Sequence, residues 1–513
     1  MAARLSRDLP RFLRAPMTLE DARTDTVRRL QSRESAFISS LRHLIYAHRG
    51  SPYRALLQHA GCELGDVERM VTADGLEATL STLATNGAYV TFDEMKGRAP
   101  AVRGSRTFSF TGRDFDNPLA RPHFAVYSGG SRGAATRVPR TLALVAEIAA
   151  ELALVLEANQ LTRPRFAYWM AGAYNRLMVT GKLGMETAGW FFPIKPLPRR
   201  VTLGAAYIRL LGRLGGVYYP MPGYLPIEQP ERMAHWLAQQ ARHGPIVFNS
   251  VASSAARVAQ SALDAGLDLS HVTFYATSEP VTAERRRPID RLGSRVTVTY
   301  GSTEVQIVGY GCPDGEGADD LHFFSNRVAL VQRRRELFQG GPELDALALT
   351  SLSLNANKVC LNAETGDYAR VETRDCGCSL GAIGLRTHLS EIRSFEKLST
   401  EGTTFAHSNL QSVLERTLPA HFGGSSLDYQ LVEDHDQSGR TRLELRIHPT
   451  VGPVDEAVAR QVFLTSLASD GLVAQYHTAL LDRLQSIVIV RQPPVVSPTG
   501  KILPFGLATA RHR

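Results

Sequence analysis

Between Pro245 and Val305, short apolar runs alternate with amphipathic ones. "PIVFNS" reads as a strand, "SAARVAQSALDAG" as a helix, "HVTFYATSEP" as a strand, "AERRRPIDRLG" as a helix and "RVTVTYGSTEV" as a strand. Strands bounded by helices imply a parallel sheet with both faces covered. Two of these strands run into polar tips, Ser278-Glu279-Pro280 and Gly301-Ser302-Thr303-Glu304. The carboxyl ends of strands line the ligand crevice in open α/β sheets, so both tips are candidate site residues.

The first hundred residues read as mixed helix, broken at Gly50 and Pro52. Next comes "FAVYSGGSRGAATRVP", Phe124 to Pro139, followed by the helical "RTLALVAEIAAELALVLEANQ". Strand, glycine loop, helix is the order in which a loop can offer its amides to an anion, although a plain flexible turn has the same composition. The character changes near Arg393. Beyond it, "LDYQLVEDHDQSGRTRLELRIHP" reads as two strands joined by a polar turn, and "VDEAVARQVFLTSLASDG" as a helix. The expected architecture is α/β: a large N-terminal unit, residues 1–392, and a small α+β C-terminal one, residues 393–513, with no internal repeat.

Length supports that division, since 513 residues exceed what one hydrophobic core normally organises. The apolar fraction of 43% and charged fraction of 21% are those of an ordinary globular chain. The formal charge of +8 looks spread along the sequence. Clusters such as Arg285–Arg287 and Arg333–Arg335 are short and fit solvated helix faces, so no nucleic-acid partner is expected. No run of 18 uncharged apolar residues occurs, and the start lacks an apolar segment with a small-residue cleavage site. The expectation is a soluble cytoplasmic protein with no membrane span, monomeric or homodimeric. Five cysteines, an odd number, speak against a disulfide framework and leave metal binding or plain burial open.

The order of the motifs is more telling than any one of them. "SGGSRG" at Ser128–Gly133, "YGSTE" at Tyr300–Glu304, "TGD" at Thr365–Asp367, "IRSFE" at the expected domain junction and "SPTGK" ending at Lys501 together resemble the AMP-forming acyl-adenylate synthetases. "SPYRALLQHAGCELGDVE" and "GLDLSHVTFYATSEP" are similar to the phenylacetate-CoA ligase branch, and the likeness runs from about Ser51 to Lys501.

The resemblance implies roles that the chemistry needs. A carboxylate must attack the α-phosphate of ATP, so cations and amide donors are required at the phosphates. Ser128, Gly129, Gly130, Ser131, Arg132 and Gly133 match the phosphate loop, with Gly129 in a serine place and Arg132 or Arg137 in place of the family's lysine. Tyr300 is implied to pack on adenine alongside Gly301, Ser302 and the Ser278-Glu279-Pro280 tip. Thr303 is implied to hold phosphate, and Glu304 to hold Mg²⁺. Asp367 corresponds to the ribose acceptor, Arg393 to the junction arginine that also reaches the ribose, and Lys501 to the catalytic lysine bridging carboxylate and α-phosphate. "FE" stands where Asp-Asp is usual, which places the hinge near Ser394 to Glu396.

Cys312, His322, Cys376 and Cys378 form a complete set of ligands for structural zinc, and branch members carry cysteines and a histidine in the same segments; buried unliganded cysteines remain the alternative. Cys360 fits either an acyl acceptor or a core position, and Cys62 is left over. An apolar acyl pocket could draw on the aromatic stretch Phe166–Pro196 or on "FNSVASS", Phe248 to Ser254, which ordinary core packing explains equally. The implied activity is ATP-dependent activation of an aryl or fatty acid and transfer to a thiol, with coenzyme A first. An amine or an acyl carrier protein as acceptor is the alternative, and an inactive nucleotide-binding relative is the reading from another class.

Overall fold

The computed structural model describes residues 1–127, 137–170, 173–193, 199–336, 343–394, 399–400, 403–404, 410–435, 441–468, 487–496 and 501–507. Helices dominate the first hundred residues. Two hairpins follow, β1 (Ala101–Arg103) with β2 (Arg106–Phe108), and β3 (Phe124–Tyr127) with β4 (Arg137–Arg140).

The central sheet is built from β5 (Arg165–Trp169), β6 (Thr187–Phe192), β7 (Gly223–Tyr224), β8 (Ile246–Val251), β9 (Val272–Thr277), β10 (Arg295–Ser302), β11 (Gln306–Gly311), β12 (Leu321–Phe323), β13 (Val328–Glu336), β14 (Glu343–Ser351), β15 (Ala363–Thr373) and β16 (Thr387–Ser394). Their order is β13-β14-β15-β16-β12-β11-β10-β9-β8-β5-β6-β7. From β7 to β10 neighbouring strands run parallel; from β10 to β13 they run antiparallel. All six residues of β8 and of β9 are buried, as expected for parallel strands covered on both faces. The strands and helices read between Pro245 and Val305 all form, so the expected α/β architecture holds, with an antiparallel half added.

One local expectation is corrected. A further strand, β4, pairs antiparallel with β3 and precedes the helix Leu142–Ala158, which starts only after Thr141, whose Oγ1 accepts the Leu144 amide at 3.2 Å. Val138, Pro139 and Arg140 of β4 are buried.

The helix Leu142–Ala158 is apolar nearly all round and correspondingly buried. Its two buried carboxylates each face an arginine, Arg29 lying 3.1 Å from Glu147. Glu151 binds Arg327 at 2.6 and 3.1 Å, and Glu147 accepts from Ser353 at 2.9 Å and Asn355 at 2.7 Å. Such pairing is what makes a buried charge tolerable.

After β17 (Ser399–Thr400) and β18 (Thr403–Thr404), the C-terminal segment forms a four-stranded sheet of β19 (Tyr429–His435), β20 (Thr441–Ile447), β21 (Ile487–Val490) and β22 (Phe505–Leu507), ordered β21-β20-β19-β22. Leu431, Leu443, Leu445 and Phe463 close a hydrophobic cluster within it. Among the described residues no helix is long and apolar enough to cross a membrane.

Candidate active site

The tip joining β10 to β11 is tightly constrained. Ser302 pairs with Gln306, and the register shifts between Tyr300 and Gly301. Ser302 Oγ accepts the amides of Glu304 at 3.3 Å and Val305 at 3.4 Å. A Cβ on Gly301 would collide with the Gln306 carbonyl, so this close approach requires glycine. Arg327, held by Glu151, donates to the carbonyls of Val305 at 3.2 Å and Ile307, anchoring the tip to the long helix.

Glu304 is buried at this tip and paired with the ammonium of Lys96, which the short helix Phe92–Lys96 supplies. Burial pushes the Glu304 carboxyl up; the Lys96 charge and hydrogen bond outweigh this and leave it below the usual carboxylate value. Arg140, at the end of β4, donates to the Thr303 carbonyl and lies against the side-chain amides of Gln306 and Asn357. Burial lowers the Arg140 guanidinium to about 9, against the attraction of Glu304. Two cations thus converge on the tip bearing Thr303 and Glu304. Neither follows from the sequence. The motif there points to Arg132 or Arg137, and no periodicity marks a lysine in "FDEMKGR" as buried.

Tyr300 and Asp367, far apart in sequence, come together: the phenol donates to Asp367 Oδ2 at 3.1 Å. Asp367 faces Ser394, and Arg393 faces Tyr368, across the β15–β16 ladder, so the aspartate and the junction arginine sit on adjacent rungs. The Arg393 guanidinium turns to Asp319 at 3.4 Å.

Ser278, at φ 69°, makes the turn after β9. Glu279 is buried and accepts the Ser253 amide at 2.7 Å and its hydroxyl at 3.1 Å, closing the N-terminus of the helix Ala252–Asp264. Arg285 binds Glu279 at 3.3 Å, the Pro280 carbonyl at 3.3 Å and the Ile502 carbonyl at 3.2 Å, and pairs with Glu415 at 3.1 Å. The half-buried Lys501 is therefore next to a residue docked at the β9 tip. Gln430, buried on β19, binds the backbone on both sides of Lys501 in sequence. Its amide donates to Val495 O at 3.1 Å and Leu503 O at 2.8 Å and accepts from Val495 N at 2.6 Å.

The donor atoms of Cys312, His322, Cys376 and Cys378 all lie within 4.8 Å of one another. His322 Nδ1 donates to the Leu385 carbonyl at 2.7 Å, which turns the Nε2 lone pair toward Cys378 Sγ at 3.1 Å and Cys376 Sγ at 3.6 Å. The hydrogen bond from Cys312 holds Cys378 down at about 3, in the thiolate form that a soft cation prefers. Three sulfurs and one imidazole at these separations fit tetrahedral zinc. Cys360 is buried and its thiol is pushed up to about 12, which suits a core residue and not a nucleophile. Cys62 is also buried. In the aromatic stretch Phe166, Tyr168, Trp169 and Trp190 are core, as is Phe248. Ser128, Gly129, Gly130, Ser131, Arg132 and Gly133 lie outside the described residues.

No protein-family description and no curated protein matches the sequence. Solved structures do. A 2-hydroxyisobutyryl-CoA ligase in the postadenylation state, in complex with R3-HIB-AMP, superposes with a TM-score of 0.56 at 13% identity, over 94% of this chain and 89% of that one. The same ligase in an open conformation with 2-HIB-AMP and CoA gives 0.49 at 13% identity, over 96% and 93%. An O-succinylbenzoate coenzyme A synthetase from Bacillus subtilis, in complex with ATP and magnesium ion, gives 0.44 at 12% identity, over 75% and 69%. The likeness to the 2-hydroxyisobutyryl-CoA ligase in the postadenylation state, over nearly the whole of both chains, shows a shared fold.

Proposed function

We propose that the protein is an AMP-forming acid–thiol ligase of the phenylacetate-CoA ligase-like branch, with residues 1–392 binding ATP and acid and residues 393–513 forming a mobile lid. The observation that carries this reading is the meeting of Tyr300 and Asp367 beside a hairpin whose tip holds a buried carboxylate between two cations. On this reading Tyr300 and the Ser278–Pro280 tip flank adenine, and Asp367 with Arg393 takes the ribose hydroxyls. Thr303 and the Ser128–Gly133 loop take the phosphates, and Arg140 braces Thr303 through its carbonyl. Glu304 fits Mg²⁺ as a carboxylate ligand already ionised, and the cation would spread charge over the phosphate oxygens.

The acid's carboxylate attacks the α-phosphorus and pyrophosphate leaves, with Lys501 holding the two anions together. A thiolate then attacks the acyl carbon and AMP leaves. Coenzyme A is the acceptor we put first. The Cys312, His322, Cys376 and Cys378 cluster holds zinc in a structural role, since four protein donors leave no open position.

The test is acid-dependent exchange of labelled pyrophosphate into ATP across aryl and fatty acids. Exchange with at least one acid is expected, with CoA consumed on its addition. Exchange without CoA consumption would shift the acceptor to an amine or a carrier-protein thiol, and no exchange with any acid would overturn the enzyme reading. Lys501→Ala should retain ATP binding and lose exchange by about a hundredfold or more.

A further inference from the structure

We propose that the paired helices Ala2–Arg14 and Arg199–Leu214 form a docking face for an anionic lipid surface. Leu203, Leu210 and Leu214 are 71%, 57% and 53% exposed, and Tyr218 just beyond them is 54% exposed. Spacings of seven and four put the three leucines on one helix face. The opposite face, Ala205, Ile208 and Leu211, is buried in the same cluster as Leu5, Leu9 and Leu13 of the N-terminal helix. The pair is fastened at both ends: Tyr207 donates to the Ala2 carbonyl at 2.9 Å, and Arg14 donates to the Leu214 carbonyl at 2.8 and 3.1 Å. The leucines are therefore displayed outward by a packed element and do not belong to a frayed one.

Charge decides what could cover them. Residues 187–227 contain five cations, Lys195, Arg199, Arg200, Arg209 and Arg213, and no acid. Residues 1–15 contain four arginines and one aspartate. Five and three net charges equal the whole formal charge of +8, so the rest of the chain is neutral. The helix Arg199–Leu214 carries four arginines and no acid, and the helix Ala2–Arg14 four arginines and one aspartate, so the pair is strongly basic. The guanidinium carbons of Arg209 and Arg213 lie 5.1 and 5.8 Å from the Tyr218 ring, and Arg7, Arg11 and Arg14 are exposed on the neighbouring helix.

A second copy placed on this face would set like charges against each other. Nucleic acid would satisfy the arginines and leave the leucines in contact with phosphate and water. An anionic bilayer satisfies both, with leucines at the acyl boundary, Tyr218 at the headgroups and arginines on the lipid phosphates.

The full chain should sediment with phosphatidylcholine vesicles containing phosphatidylglycerol and not with phosphatidylcholine alone, and added salt should release it. Arg209→Glu/Arg213→Glu should weaken binding by about tenfold or more. Leu203→Ser/Leu210→Ser/Leu214→Ser should do likewise, with the thermal midpoint and pyrophosphate exchange unchanged. Absence of binding to the anionic vesicles, or binding that survives both sets of substitutions, would overturn the proposal. So would a solution dimer that Leu210→Ser dissociates. The vesicle-binding readouts do not depend on whether the chain activates an acid.

Discussion

At the scale of single residues the centre of the molecule is the Lys96–Glu304 pair, 7% and 9% exposed. A carboxylate at that depth is tolerable because an ammonium accompanies it. Lys96→Met should destabilise the protein by about 3–5 kcal/mol at pH 7, as expected for one partner of a buried pair left alone. The pH dependence has a definite sign. The native Glu304 pKa lies below its ordinary 4.5, so its pairing stabilises the fold above that pH and ceases to do so as pH falls through the native value. The gap between wild type and variant, read from chemical denaturation, should be full at neutral pH and narrow below about pH 4. An equal gap at both would mean that Lys96 acts through packing. The same pair marks the limit of what sequence discloses here. Tyr300, Asp367 and Glu304 stand in motifs, whereas Lys96 and Arg140 matter through burial beside partners roughly two hundred positions away, which no local pattern records.

At the scale of elements, the parallel half was legible because each strand from Ile246 to Ser302 is a short apolar run ended by glycine, proline or a polar tip. The antiparallel half was not. β13 mixes "VALV" with "QRRRE" because its second part is half exposed, which blurs the period-two signal. β3 and β4 were hidden by the glycine stretch between them, which fits a hairpin turn as well as the loop before a helix. The cysteine–histidine cluster joins the β11–β12 connection to the segment between β15 and β16, so metal loss should loosen those elements first. One equivalent of zinc per chain is expected by elemental analysis. Removing it with a chelator, or making Cys376→Ser, should lower the thermal midpoint by several degrees, corresponding to about 1 kcal/mol or more. Absence of zinc from protein purified without chelator would return these residues to ordinary core cysteines.

At the scale of the whole molecule, Arg285 is one contact that ties the C-terminal segment to the large sheet, being 2% exposed and shared among Glu279, Pro280, Glu415 and Ile502. Arg285→Met would leave Glu279 and Glu415 as neighbouring buried carboxylates without their cation. Faster hydrogen exchange is expected in residues 410–435 and 487–507, with β5 and β8 unchanged. A uniform rise across the chain would show global destabilisation instead. The order of strands has a consequence for biosynthesis. β12 lies between β11, which precedes it, and β16, which the ribosome delivers only after β13, β14 and β15. Until Thr387–Ser394 emerges, a nascent chain already carrying Tyr300 and Glu304 exposes one side of β12 as an unpaired edge. The window for misassembly or chaperone capture therefore opens with Leu321 and closes when Leu389 reaches it.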